Sequence, residues 1–209
     1  MSKCADTSCL PPASRPGLRE AGTDEAGRGC LAGPVFAAAV ILPTDFAHPG
    51  INDSKKLSHT RRMEMAAIIR ERALAWAVAR VDAGEIDRIN ILQASILAMH
   101  RALDALDTEP EAVAVDGNRF RPWRQVPWQT FVKGDGRLAN IAAASILAKT
   151  ERDLFMQQAA LEYPQYHWEE NKGYPTISHR AAIAQHGPSP LHRMSFRLLA
   201  PQQLSLFQQ

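Results

Sequence analysis

The longest apolar run in the chain, Cys30 to Leu42, spans 13 residues, contains Pro34 and stops at Pro43. A membrane-crossing helix needs ~20 apolar residues, so this run must be packed inside a folded domain. Its larger part, PVFAAAVIL at 34–42, is rich in β-branched residues between Gly33 and Pro43 and reads as a buried strand. Such a strand needs paired neighbours, and the chain supplies them. Residues 19–24 form a short extended segment leading into the turn Gly27-Arg28-Gly29. Leu74 to Val81 alternates Leu74, Trp76 and Val78 with Ala75, Ala77 and Ala79, a strand signature. AVAVD (112–116) and QTFV (129–132) read as two further short strands.

Helices fall between them. Ser58 can cap a helix running to about Arg72, with Met65, Ile68 and Ile69 on one face. From Asn90 to about Leu106, Asn90 and Gln93 suit a capping box, while Leu92, Ile96, Met99, Leu103 and Leu106 keep the 3.6-residue period. Arg137 to about Gln158 is a long alanine-rich helix, and Ser178 to His186 is a last one, ended by Gly187-Pro188. The order β-β-α-β-α-β-β-α predicts an α/β protein with a mixed sheet, because the first strands are joined by tight connections. A chain of 209 residues, 45% of them hydrophobic, buries roughly 70% of its unfolded surface and needs no disulfide staples. Cys4, Cys9 and Cys30 are an odd number at no metal-ligand spacing, which predicts reduced thiols and a cytoplasmic setting. The first eighteen residues have no continuous apolar core, so they do not read as a secretory signal. A loose tail is expected over 1–18, one folded domain over 19–200, and a flexible glutamine-rich tail over 201–209.

A net charge of +2 says little about partners, but its distribution says more. No acid follows Glu170, while Lys172, Arg180, Arg193 and Arg197 are basic. Between Asn118 and Arg137, five basic residues (Arg119, Arg121, Arg124, Lys133, Arg137) face Asp135 alone, and Lys55, Lys56, Arg61 and Arg62 form a third group. Such clusters suit a polyanion, although ordinary charge scatter on a solvated surface also explains them.

The acids are informative where they close strands beside glycine. Asp24-Glu25 is followed at once by Ala26-Gly27-Arg28-Gly29, and Asp116 by Gly117. In an α/β sheet, ligands collect outside strand ends. Three carboxylates converging there repel one another unless a cation neutralises them, and hard cations such as Mg²⁺ take oxygen ligands. Adjacent strand residues point to opposite faces, so Asp24 and Glu25 share a site only if the strand is ending or one of them offers its backbone carbonyl. On the long helix, Ser145, Lys149 and Asp153 form one polar stripe at i, i+4, i+8, while Leu147 and Leu154 serve the core. A solvated Lys149–Asp153 pair worth ~0.3–0.5 kcal/mol explains that stripe equally simply; four acids in these places favour a metal site.

Seven blocks now carry a resemblance. TDEAGRGCLAGPV (23–35), NDSKKLS (52–58), VDGN (115–118), KGD (133–135), AASILAKTERD (143–153), NKGYPT (171–176) with His179, and HRMSF (192–196) resemble, in order, the motifs of bacterial ribonuclease HII, the type 2 ribonuclease H. The resemblance spans 19–197; Thr23 stands where an aliphatic residue is more usual. It implies a ribonuclease H-like mixed five-stranded sheet flanked by helices, with a small C-terminal helical extension over about 160–200. It also implies a monomer that cleaves the RNA strand of RNA–DNA hybrids and the 5′ side of single ribonucleotides in duplex DNA. Metal carboxylates then fall on Asp24, Glu25, Asp116 and Asp153, holding two Mn²⁺ or Mg²⁺ ions ~3.5–4 Å apart around the scissile phosphate, with 5′-phosphate and 3′-hydroxyl products. Gly27, Arg28, Gly29 and Tyr174 would read the ribonucleotide through its 2′-hydroxyl. Lys55, Lys133, Ser145, Lys149 and Arg193 are candidate phosphate contacts. Another nuclease or resolvase of this fold, or a metal-free hybrid-binding module, are the alternatives.

Gln203-Leu204-Ser205-Leu206-Phe207 resembles the short motif by which bacterial replication and repair proteins dock on the DNA sliding clamp. Leu206 and Phe207 would enter an apolar groove, with Gln203 at its rim and Leu204 beside them. The same leucines could instead fold back over the C-terminal helices.

Overall fold

A computed structural model of the protein describes residues 9–51 and 57–199. Cys4, Lys55, Lys56 and the motif Gln203, Leu204, Leu206, Phe207 lie outside the described residues. Five strands, β1 (Glu20–Ala26), β2 (Val35–Ile41), β3 (Ala75–Val81), β4 (Ala112–Asp116) and β5 (Trp128–Phe131), form one sheet in the order β3-β2-β1-β4-β5. β2 is antiparallel to both β1 and β3, whereas β4 joins β1, and β5 joins β4, in parallel. The expected mixed five-stranded sheet is therefore present. Its helices are α1 (His59–Arg72), α2 (Ala83–Ile89), α3 (Ile91–Asp104), α4 (Ala139–Glu162), α5 (Trp168–Asn171) and α6 (Ile177–His186).

The continuous apolar run has a direct cause. Val35, Ala37, Ala39 and Ile41 of β2 enter one core with Ala94, Ala98, Met99 and Leu103 of α3. Ala38 and Val40 alternate into a second core with Met65, Ala66 and Ile69 of α1 and Ala142, Ala143 and Leu147 of α4. Both faces of the strand are covered, so neither can be polar. A third cluster packs Leu31 and Ala32 against Met156, Ala160, Tyr166, Trp168 and Ile183, fastening the C-terminal helices to the second half of α4. Among the described residues no helix is long and apolar enough to cross a membrane.

Ser58 caps α1 as expected, its hydroxyl accepting from Arg61 N at 3.2 Å, and Asn90 Oδ1 accepts from Leu92 N and Gln93 N to start α3. Several expectations need correction. Helix α2 lacks enough turns to show a period, and its C-cap is the same Asn90, at φ 67°. In β3 the small residues face α3 while Leu74 and Trp76 are exposed, Trp76 lying under the Arg70 guanidinium. Leu154 is likewise exposed, because the inward face of α4 at that turn is taken by Arg152, Asp153 and Met156. Residues 9–18 are not loose against the domain. Pro11 O and Pro12 O accept from Ala139 N and Asn140 N, satisfying donors that the first turn of α4 leaves without helical partners. The Ser14 hydroxyl and amide both donate to the Glu20 carboxylate, which also accepts from Asn140 Nδ2.

Close packing of β1 against α4 fixes the position of the strand. A Cβ on Gly22 would stand 2.3 Å from Asn140 C and 2.4 Å from Ile141 N, both backbone atoms of α4. Gly22→Ala should therefore destabilise by about 3 kcal/mol, lowering the melting temperature by roughly 6–12 °C. Gly84→Ala, in the open on α2, should leave it unchanged or slightly raised. Differential scanning calorimetry checks both, and an unchanged Gly22→Ala midpoint refutes the account.

Candidate active site

Because β4 runs parallel to β1, their C-terminal ends lie at one edge of the sheet. Pairing between them reaches Thr23 and Val115, so Asp24 and Asp116 come next on adjacent strands. On the other side β1 continues, with Glu25 opposite Ala37 and Ala26 opposite Phe36. The strand thus ends for β4 but not for β2, which lets Asp24 and Glu25 share one cleft. Thr23 is fully buried and donates its hydroxyl to Ala38 O at 2.7 Å, which is how a polar residue is accepted there.

One cleft is lined by Asp24, Glu25, Ala26, Gly27, Arg28, Asp116, Ser145, Lys149 and Tyr174. Burial pushes the Asp24 carboxyl well above the usual range, and the charges of Glu25 and Asp116 push it further, against a hydrogen bond from Ser145. Burial also raises Glu25, opposed by Arg28, whose guanidinium is 3.1 Å from its carboxylate. Asp116 Oδ1 accepts from Gly134 N at 2.7 Å. Among the described residues, no group of three or more His, Cys, Asp or Glu is arranged to hold a metal ion. The donor chemistry nevertheless fits a hard cation: these are oxygens held in mutual repulsion, and Glu25 would have to leave Arg28 to serve.

Asp153 is not brought into this lining. Its Oδ2 accepts from Arg62 and its Oδ1 from Lys149, each at 2.6 Å, and the carboxylate is 4% exposed. It is the anion of a buried bridge between α1 and α4, not the solvated pair that its spacing suggested. Asp135, buried in the one-turn 3₁₀ segment Gly134–Gly136, follows the residue whose amide binds Asp116. Its sequence signal is the one that marks Asp24 and Asp116: an acid beside glycine just beyond a strand. Lys133 is exposed in the left-handed region at φ 54°. Arg193 faces inward, donating to Gly33 O and Arg28 O.

Arg152 has a role with no sequence signal. It is fully buried and donates to Pro34 O, Lys172 O and Ala32 O at 2.9–3.1 Å. Gly27, at φ 99°, leaves room for it, since a Cβ there would meet Arg152 Nε at 2.0 Å. Gly29 faces open space, so its backbone is the accessible part of the turn. Tyr174 stands at the rim with its ring 5.5 Å from Lys149 Nζ and 5.8 Å from the Arg152 guanidinium carbon, and its hydroxyl shares a hydrogen bond with the buried Cys30 thiol.

A carboxyl raised above its unfolded pKa destabilises the fold fully once pH exceeds the folded value, and the penalty fades as pH falls toward the unfolded one. Without added metal at pH 7, Asp24→Asn should therefore raise the melting temperature by ~2–4 °C, the effect of ~1 kcal/mol in a chain this long. A lower midpoint by calorimetry contradicts the repulsion account.

The family model described as Ribonuclease HII matches residues 21–199. Ribonuclease HII of Parabacteroides distasonis is 58% identical over 197 residues, covering 94% of this chain and 98% of that one. The RNase HII in the PCNA:RNase HII complex from Archaeoglobus fulgidus superposes with a TM-score of 0.72 at 26% identity, covering 90% of this chain and 98% of that one. Bst-RNase HIII, crystallised in complex with Mn²⁺, shares the fold at a TM-score of 0.64 and 20% identity, covering 87% of this chain and 68% of that one. With the family model spanning both strand ends, the Gly27-Arg28-Gly29 turn and the Tyr174 segment, the chain belongs to the ribonuclease HII family.

Proposed function

We propose that this ribonuclease H cleaves the RNA strand of RNA–DNA hybrids, and the 5′ side of a single ribonucleotide embedded in duplex DNA, leaving 5′-phosphate and 3′-hydroxyl ends. The observation that carries the reading is the shared cleft, in which Asp24, Glu25 and Asp116 face the Gly27-Arg28 turn and Tyr174. The acids are the place for chemistry on a phosphodiester, and the turn and the aromatic are the place to recognise a sugar.

Each side chain has a task. Ser145 gives Asp24 a hydrogen bond that favours its charged form against burial and the neighbouring acids. Lys149 sits where it can meet a backbone phosphate while its partner Asp153 ties it to Arg62. Arg28, half exposed, is released to the nucleic acid once Glu25 turns away from it. Gly29, with no side chain, lets the main chain approach a 2′-hydroxyl, which separates RNA from DNA. Tyr174 can stack on the adjacent sugar. Mg²⁺ or Mn²⁺ ions, two by the family resemblance, would be held by Asp24, Glu25 and Asp116 and supply charge neutralisation and water activation when bound. For the fourth acid the position of Asp135 next to Gly134 makes it the better candidate, since Asp153 is committed to two cations. Arg193 supports the turn from behind and is set aside as a phosphate contact.

We also propose that the protein acts as a cytoplasmic monomer and that residues 203–207 dock on the bacterial sliding clamp. The Archaeoglobus fulgidus relative was solved in complex with PCNA. A peptide spanning 200–209 should bind the clamp in the micromolar range, at roughly −7 to −8 kcal/mol, and lose that binding with Leu206→Ala and Phe207→Ala together. No binding by the intact peptide refutes this partner.

Cleavage of a duplex with one ribonucleotide, in Mg²⁺, Mn²⁺ or EDTA with the ends mapped, tests the activity. Binding without turnover would instead favour the hybrid-binding module. Asp24→Asn, Asp116→Asn and Asp135→Asn should each lower turnover about 10²-fold or more with hybrid binding retained. Asp153→Asn should chiefly lower the melting temperature by leaving Arg62 buried and unpaired. Near-normal turnover in the first two variants sinks the site. Tyr174→Ala should lose more activity on the single-ribonucleotide duplex than on a long hybrid, because the former offers one junction only.

A further inference from the structure

Behind Tyr174 lies a buried chain of hydrogen bonds that the proposed chemistry does not use. Ser189 N donates to His192 Nδ1 at 2.9 Å, so the proton of that ring sits on Nε2. His192 Nε2 is 3.2 Å from His179 Nε2, which also accepts from Trp168 Nε1 at 3.0 Å. With two donors aimed at its Nε2, His179 must carry its own proton on Nδ1, and that N–H donates to Tyr174 O at 2.9 Å. Every member has a consistent role with both rings neutral. Burial lowers the pKa of both, His192 to about 4, and His179, His192 and Trp168 are at most 2% exposed.

Both ends of this chain reach substrate-reading elements. At one end, Pro175 has no N–H, so the Tyr174–Pro175 peptide can be held only through its carbonyl, which also accepts from Thr176 N at 2.8 Å. The segment before it, Lys172 at φ 50° and Gly173 at φ 79°, is left-handed and needs such support. At the other end, His192 bridges to Ala32 and precedes Arg193, whose guanidinium binds Arg28 O and Gly33 O. The geometry points to the His179–His192 hydrogen bond as the strut that sets the distance between the Gly27-Arg28-Gly29 turn and Tyr174. The two histidines are positioning residues for ribonucleotide recognition, an inference that rests on the reading of Tyr174 proposed above.

The test uses the full chain. Long-range ¹H–¹⁵N spectra at pH 7 should show His179 as the Nδ1–H tautomer and His192 as the Nε2–H tautomer; the reverse tautomer or a charged ring at either position overturns the proposal. His179→Leu removes the donor and should lose about 10-fold more activity on a single-ribonucleotide duplex than on a long hybrid. His179→Asn, whose amide can stand in for Nδ1–H toward Tyr174 O but has no atom in place of Nε2, breaks the bond to His192 and should also shift the ratio by more than about 3-fold, and a ratio kept at the parent value overturns the strut. In a Tyr174→Ala background, His179→Leu should change the ratio no further. Equal losses on both duplexes for Tyr174→Ala overturn the reading of Tyr174 itself. A selective loss for Tyr174→Ala with none for a folded His179→Leu overturns the strut alone. If His179→Leu does not fold, the tautomer measurement decides.

Discussion

Two fully buried guanidiniums hold the loop on which the cleft depends. Arg152 from α4 and Arg193 from the C-terminal segment donate to five main-chain carbonyls: Ala32, Pro34 and Lys172 for the first, Arg28 and Gly33 for the second. A buried cation is expensive unless hydrogen-bonded, and a tight glycine-rich loop leaves carbonyls without sheet partners. Each solves the other's difficulty. The planar fork of arginine suits this, since it places several donors in fixed directions. Gly27 has no side chain because Arg152 occupies the space, so a residue that looks like a turn device is also a packing requirement.

On that rigid support the strand ends carry opposing demands. The same parallel register that brings Asp116 beside Asp24 also brings their charges together in a place poor in water. The fold tolerates this through Ser145, Gly134 N and Arg28, each of which attends to one acid. Lys149 is occupied elsewhere, by Asp153. The outcome is a cleft whose negative charge is only partly offset, whereas a turn or two along α4 the single carboxylate of Asp153 meets two cations, Arg62 and Lys149. Two buried carboxylates thus end in different states, one left in repulsion and one bridged by two cations, by their neighbours alone.

Much was legible in one dimension. The continuous apolar run announced a strand covered on both faces, and the acids at strand ends beside glycine announced Asp24, Glu25 and Asp116. Ser58 and Asn90 capped the helices they were expected to cap. What misled was the polar stripe of α4: spacing placed Ser145, Lys149 and Asp153 on one face, and it holds no information about Arg62, 91 residues away, which turns Asp153 into a buried ion pair. The roles of Arg152 and His179 leave no trace in the sequence, because a hydrogen bond to a distant carbonyl has no period. Residues 9–18 looked like tail because proline-rich segments lack pattern, yet the free donors at the start of α4 give them somewhere to dock.

The chain by itself determined the fold class, the central strand, the family and the three acids of the cleft, because these follow from local periodicity and from residue types that few other contexts demand. Only the tertiary structure decided which acids stay in repulsion and which are bridged by cations, that Arg193 supports the turn from within, and that two buried imidazoles stand behind Tyr174. Those outcomes depend on partners from separate segments meeting in a low-dielectric interior, where a few ångströms decide both a charge's energy and a ring's tautomer.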